Sequence, residues 1–150
     1  MAITTFKSNV QWEKEGVLSR AHINDHQVII DEPPYLGGTD QGPNPVEYLL
    51  AALGGCINVL VVSFAEQFDV DVLDVNVQLE GDIDPDGFLG KNPDVRVGYE
   101  EIRYTIDIES NSPQENIEAL ITHVEKVCPV KDTLKGTRVI NTEAKTKTKN

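Results

Sequence analysis

Two cysteines carry most of the chemistry this sequence offers. Cys56 closes the stretch GPNPVEYLLAALGGC, and Cys128 opens CPVKDTLKG, 72 positions later. The thiolate is a nucleophile, whereas a thiol buried among apolar side chains is inert. Cys56 falls in the middle of a run with helical spacing, where no helix N-terminus helps it and burial raises its pKa. On its own it reads as a small core residue. The glycines before it, Gly54 and Gly55, weigh against that reading. A Gly pair inside a helix costs roughly 2 kcal/mol relative to Ala, so something needs the bare backbone. Either a second helix crosses there or a small molecule has to reach the sulfur. Cys128 has the opposite surroundings. If Pro129 is a first helical residue, Cys128 is its N-cap, where unpaired N–H groups favour a thiolate, and Lys131 is close in sequence. Local physics makes Cys128 the more acidic of the two, and an N-cap cysteine with no redox role stays open beside it. The function turns on whether these thiols meet.

Other constellations are weaker. His22 and His26 flank a turn and, with a cysteine, form a conceivable metal set, but scattered histidines in a strand pair are ordinary. YLGGTDQG lacks the strand context and the Lys of a phosphate loop. Neither a metal nor an organic cofactor is therefore expected.

The elements that position the cysteines can be read from pattern. β-like runs cover Ile3–Trp12, Val17–Ile23 and Gln27–Asp31, with a turn at Asn24–His26 joining the last two into a hairpin. A loop rich in Gly and Pro follows. Asn44 then reads as an N-cap, Pro45 as the first helical residue and Glu47 as the returning acid of a capping box. From Tyr48 to Ala65 no residue is charged. Leu49, Leu53, Cys56, Leu60 and Phe64 keep helical spacing, while Leu50, Ile57, Val61 and Phe68 fill other faces. A helix apolar nearly all round is buried on all sides, and a second copy of so short a chain could cover the remaining face. A membrane span is not expected, because Gly54, Gly55, Asn58 and Ser63 dilute the run and only Glu66 and Asp69 flank it. Val70–Leu79 alternates as a strand, DPDGFLGKNPD reads as a loop, and VRVGYEEIRYTIDIE reads as a long strand. A helix begins at Ser112-Pro113 with Ile117, Leu120, Ile121 and Val124 on one stripe. Pro129 ends it and opens a short helix to Lys135, and TRVINTEAK reads as a closing strand. The order is that of an α+β protein with antiparallel sheets packed on a central helix.

The 150 residues suffice for one domain, residues 1–150, with 39% hydrophobic and 25% charged content. A formal net charge of −12 disfavours nucleic acid and anionic membrane surfaces as partners. MAITTFKSNV does not have the form of a secretory signal. Two cysteines make no disulfide scaffold, and the expected address is a reducing cytoplasm.

GPNPVEYLLAALGGC, the YLGG before it and the distant CPVKDTLKG together resemble the family of osmotically inducible protein C and the organic hydroperoxide resistance proteins. The resemblance covers nearly the whole chain. It implies an α+β fold in which antiparallel sheets wrap a long central cysteine-bearing helix, as an intertwined homodimer. It further implies a thiol peroxidase of oxidative stress defence. Cys56 would attack an organic hydroperoxide, Cys128 would resolve the sulfenic acid to a disulfide, and a thiol reductant would regenerate the pair. Tyr48, Leu53 and Phe64 would supply an apolar pocket. The peroxidases of this family hold the reactive thiolate with a carboxylate directly after the Asn-Pro and with an arginine. Here Val46 occupies that position. Glu47 is the candidate carboxylate, and Arg20, in the region of an early family arginine, is the candidate cation. The nine positions from Glu47 to Cys56 turn through about 900°, which puts Glu47 on the far side of the helix unless a partner chain brings it round. The alternative is a non-catalytic dimer of the same fold that binds a small apolar molecule.

Overall fold

The structure is a computed structural model that describes residues 1–135. The closing strand expected over TRVINTEAK lies outside them. The chain forms two compact units, each drawn from two stretches of sequence.

The first unit contains Met1–Ala52 and Leu79–Arg103. Its N-terminal part is an antiparallel meander of β1 (Asn9–Trp12), β2 (Ser19–Ile23) and β3 (His26–Ile30). Val10 faces Ala21, and Ser19 faces Ile30. The first strand starts six residues later than its apolar pattern suggested, and Ile3 and Phe6 are fully exposed. The hairpin turn is tighter than expected, because His26 already pairs with Ile23. Asn24 takes the left-handed backbone that makes this possible, with φ of 52°.

The Gly- and Pro-rich loop after β3 is organised by one buried acid. Asp31 is 1% exposed. Its carboxylate accepts N–H bonds from Glu32 (2.8 Å), Thr39 (3.1 Å) and Gln41 (3.0 Å), and the Thr39 hydroxyl at 2.8 Å. These donors, the Gln41 amide foremost, hold its pKa down at about 2 against an ordinary 3.8, while burial opposes them. Gly38 is required here, because a Cβ would overlap the Glu32 backbone.

Helix α1 (Pro45–Phe64) begins as its sequence signals. Asn44 Oδ1 accepts the Glu47 N–H at 2.9 Å, and Glu47 Oε1 accepts the Asn44 N–H at 3.4 Å, completing the capping box. The Tyr48 hydroxyl donates to the Ile29 carbonyl and the Tyr99 hydroxyl to the Val46 carbonyl, tying the first turn down. Within DPDGFLGKNPD, read above as a loop, the structure has a single helical turn, α2 (Pro85–Phe88). Asp84 caps it by accepting the Asp86 N–H at 2.9 Å, and Pro85 pre-sets its first φ.

The second unit contains Leu53–Gln78 and the chain from Tyr104 onward. Its core joins α1 to α3 (Gln114–Val127). Ile57, Val61, Leu120 and Val124 are fully buried there, and Leu53 nearly so. His123 lies edge-on to Phe64, with ring centres 4.5 Å apart, and beside Phe68. The stripe expected on α3 is therefore its packing face. That helix starts at Gln114 and not at Ser112, whose hydroxyl instead accepts the Asp71 N–H at 2.8 Å. Pro129 ends it and opens α4 (Pro129–Leu134).

Strands β4 (Asp74–Asp82) and β5 (Glu101–Glu109) form a second, antiparallel sheet. The first of these was expected to begin at Val70. Asp69 is left-handed, with φ of 52°, and Val70 N–H caps the Ala65 carbonyl at 2.9 Å, so the chain is still turning there. The long strand likewise starts later, at Glu101.

One face of α1 is not covered by the other described residues. Among the described residues Val59 is 65% and Val62 60% exposed. By length and composition this helix is apolar enough to cross a membrane, with mean hydropathy 1.8. Core helices of water-soluble proteins pass the same test, and α1 carries part of the second unit's core.

Candidate functional site

The two thiols meet. Cys56 Sγ and Cys128 Sγ are 3.2 Å apart, both in the second unit and both free cysteines. A disulfide is about 2.05 Å long, so this is a pair of thiols in contact. Cys56 projects from the fourth turn of α1. Cys128 sits in the one-residue joint that Pro129 forces between α3 and α4. As expected from its place before Pro129, Cys128 caps α4, and its sulfur accepts the Lys131 N–H at 3.4 Å.

Burial is the largest effect on Cys56 and pushes its thiol up. The hydrogen bond with Cys128 pushes the same way, and the Val130 amide opposes both. Cys56 is half-buried, and Cys128 is 1% exposed.

A polar cluster adjoins the pair. The Tyr104 hydroxyl, from β5, donates to Glu125 Oε1 on α3 at 2.7 Å. Lys131 Nζ lies 3.9 Å from the same carboxylate oxygen and 5.5 Å from the centre of the Tyr104 ring. Burial raises the Tyr104 pKa most. Lys131 is raised as well, first by the neighbouring Tyr104 hydroxyl and then by Glu125, while burial opposes them. Lys131 was legible as a neighbour of Cys128 along the chain. Tyr104 and Glu125 were not, because alternation marks Tyr104 only as one residue of an apolar strand face.

Arg20 and Glu47, the other expected catalytic residues, lie in the first unit. Arg20, on β2, donates from Nε to Glu13 Oε1 at 2.8 Å and from Nη1 to Gln27 Oε1 at 3.2 Å. Glu47 is engaged in the capping box with Asn44. Of the pocket residues expected around the sulfur, Leu53 is 2% exposed, Phe64 packs on His123, and Tyr48 reaches the Ile29 carbonyl. His22 and His26 are exposed on the β2–β3 hairpin. Among the described residues no group of three or more His, Cys, Asp or Glu is arranged to hold a metal ion.

The fold and both cysteine-bearing segments fall within one protein class. The family model for OsmC-like proteins matches residues 38–143, a span that includes both cysteines. The chain belongs to the OsmC-like family. Solved structures share the fold. The OsmC-like protein of Mycoplasma pneumoniae superposes with a TM-score of 0.76 at 21% identity, covering 89% of each chain. An organic hydroperoxide resistance protein OsmC from Legionella pneumophila gives 0.61 at 17% identity, over 91% of this chain and 93% of that one. Among curated proteins, Protein YhfA of Escherichia coli K12 is 30% identical over 73 residues, which is 49% of this chain and 52% of that protein. The chain thus spans about half the length of the curated relatives it matches.

Proposed function

We propose that the protein is a thiol peroxidase that reduces organic hydroperoxides in oxidative stress defence. The observation that carries this reading is the 3.2 Å separation of the two sulfurs. Cys56 attacks the peroxide O–O bond and becomes a sulfenic acid. Cys128 then displaces the hydroxyl to close a disulfide, and an external thiol reductant restores the pair. Family membership supports the reading, as does the description of the Legionella pneumophila relative as an organic hydroperoxide resistance protein. No metal or organic cofactor enters this chemistry. Two free thiols suit a reducing cytoplasm.

The working form in this reading is a homodimer of the single domain, residues 1–150. Three features of α1 support it. Val59 and Val62 are open to solvent, and a Cβ added at Gly55 would meet no atom within 4 Å among the described residues. Whatever needs the bare backbone at Gly55 is therefore outside this part of the chain, and a crossing helix of a second copy meets that need. In such an assembly Arg20 and Glu47 are the candidates for the activating cation and carboxylate.

Incubating the reduced protein with cumene hydroperoxide tests the peroxidase. The expected result is loss of both thiols with formation of one intramolecular disulfide, and no hydroperoxide consumption by Cys56→Ser. Full consumption by that variant refutes the assignment. A second reading, a non-catalytic dimer that binds a small apolar molecule, is favoured by Val46 after Pro45 and by an Arg20 already bonded to Glu13 and Gln27. Two thiols untouched by the hydroperoxide establish that alternative.

A further inference from the structure

We infer that Glu125 is a positioning residue for the thiol pair. Held by Tyr104 and in turn holding Lys131, it braces the joint between α3 and α4 so that Cys128 Sγ stays against Cys56 Sγ. The brace rests on the reading above that these thiols close to a disulfide, and it acts on their geometry whichever sulfur reacts first.

The need for a brace follows from where Cys128 sits. It is the single residue between two helices, with φ of −71° and ψ of 109°. Pro129 keeps α3 from continuing through it. The helix beyond, α4, has six residues, too few to hold its own position. A small rotation at the joint re-aims the Cys128 side chain, and a contact of 3.2 Å has little slack.

Three side chains of the second unit close a triangle over that joint. Glu125 lies in the last turn of α3, three residues before Cys128, and Lys131 lies in α4, three residues after it. Tyr104 comes from β5, outside both helices. Its hydroxyl donates to Glu125 Oε1 at 2.7 Å. Lys131 Nζ lies 3.9 Å from the same oxygen and 5.5 Å from the centre of the Tyr104 ring. Glu125 is thus the member that both others reach through polar atoms. Lys131 carries the tie onward, because its backbone N–H donates to Cys128 Sγ at 3.4 Å. A continuous path therefore runs from the strand through the carboxylate to the sulfur. All three residues are half-buried, where such contacts are stronger than in open water.

A thiol kept beside its partner has already lost the freedom that cross-linking would remove, so the pair behaves as if at a raised effective concentration. Closure by oxidised glutathione shows the effect without a peroxide. Two electrons and two protons leave the dithiol, the Cys56–Cys128 bond forms, the glutathione S–S bond breaks, and two molecules of reduced glutathione are released. The brace favours the closed side of this exchange.

Equilibrating the protein over a series of glutathione ratios, quenching with acid and counting thiols by mass tests the inference. Glu125→Ala should lower the closure constant about tenfold, the scale of one hydrogen bond to a charged group, which makes the potential about 30 mV less reducing. Glu125→Gln keeps an acceptor for the Tyr104 hydroxyl and should cost about threefold, since a neutral hydrogen bond has roughly half the strength of a charged one. Tyr104→Phe should cost nearly as much as Glu125→Ala. Added to Glu125→Ala it should change nothing further, because the hydroxyl acts through Glu125. Glu118→Ala, on the same helix but outside the triangle, should match the parent. The Gln and Phe variants conserve volume and keep the test decisive if Glu125→Ala folds poorly. The inference is overturned if the parent does not close, if Glu125→Gln and Tyr104→Phe close as readily as the parent, if the Tyr104 and Glu125 losses add in full, or if Glu118→Ala weakens closure equally. Weakened closure in a protein that consumes no hydroperoxide supports the brace and removes the peroxidase reading. Hydroperoxide consumption with unmoved closure constants does the reverse.

Discussion

Gly55→Ala is the change that best separates what the chain needs from what a second copy needs. Inside a helix, Ala is favoured over Gly by about 1 kcal/mol, roughly a fivefold gain in the folding equilibrium. No steric cost offsets this within the described chain, since the new Cβ has no neighbour within 4 Å. The lone chain should therefore be stabilised by that amount, about 2–4 °C in Tm for a domain of this size. The proposed dimer should respond in the opposite sense. Where two helices cross at glycine, an extra methyl is overpacked at about 1–3 kcal/mol, and a two-fold axis repeats the clash on the other copy. At about 1.4 kcal/mol per tenfold, the dimer dissociation constant should rise by at least tenfold. Sedimentation over a dilution series measures the dissociation constant, and urea titration below it measures the monomer. A dimer of unchanged affinity, or a parent protein that is monomeric throughout, refutes the argument that a partner approaches α1 at Gly55.

Two further outcomes follow from the core and from the buried acid. Leu120, on α3, is fully buried, so Leu120→Ala should cost about 2–5 kcal/mol of stability, read as a lower urea midpoint at unchanged slope. Asp31 has a folded pKa below its ordinary 3.8, so its contribution to stability is present above that value and is lost as pH falls through about 2. Urea midpoints should decline between about pH 4 and 2, and Asp31→Asn should be less stable at neutral pH with a shallower decline.

The parts of the fold legible in sequence were those set by neighbouring residues. Asn44, Pro45 and Glu47 announced the start of α1, and Cys128-Pro129 announced both the cap and the break between α3 and α4. The helical stripe of Ile117, Leu120 and Val124 became the packing face because spacing alone puts those residues together. Strand starts were less legible. Val70 carries the alternation of a strand yet serves a turn, because its N–H is taken by the Ala65 carbonyl. The four residues of α2 are too few to show a period, although the Asp84-Pro85 cap signals the turn. At the candidate site, local sequence reported the environment of Cys128 well. It had no means of reporting that Tyr104 and Glu125, on different elements, converge on Lys131. Nor did it show that Arg20 has its own cross-strand and hairpin partners in Gln27 and Glu13.

The unequal shelter of the two sulfurs gives traffic through the site a direction. With Cys128 at 1% exposure behind the half-exposed Cys56, any reagent arriving from water encounters the α1 sulfur before the other. In the proposed peroxidase, oxidant and reductant would share one doorway, and a mixed adduct with an outside thiol would form on α1. The inner sulfur would then change partner only within the protein, and its burial would shield it from the irreversible overoxidation that threatens an exposed thiolate.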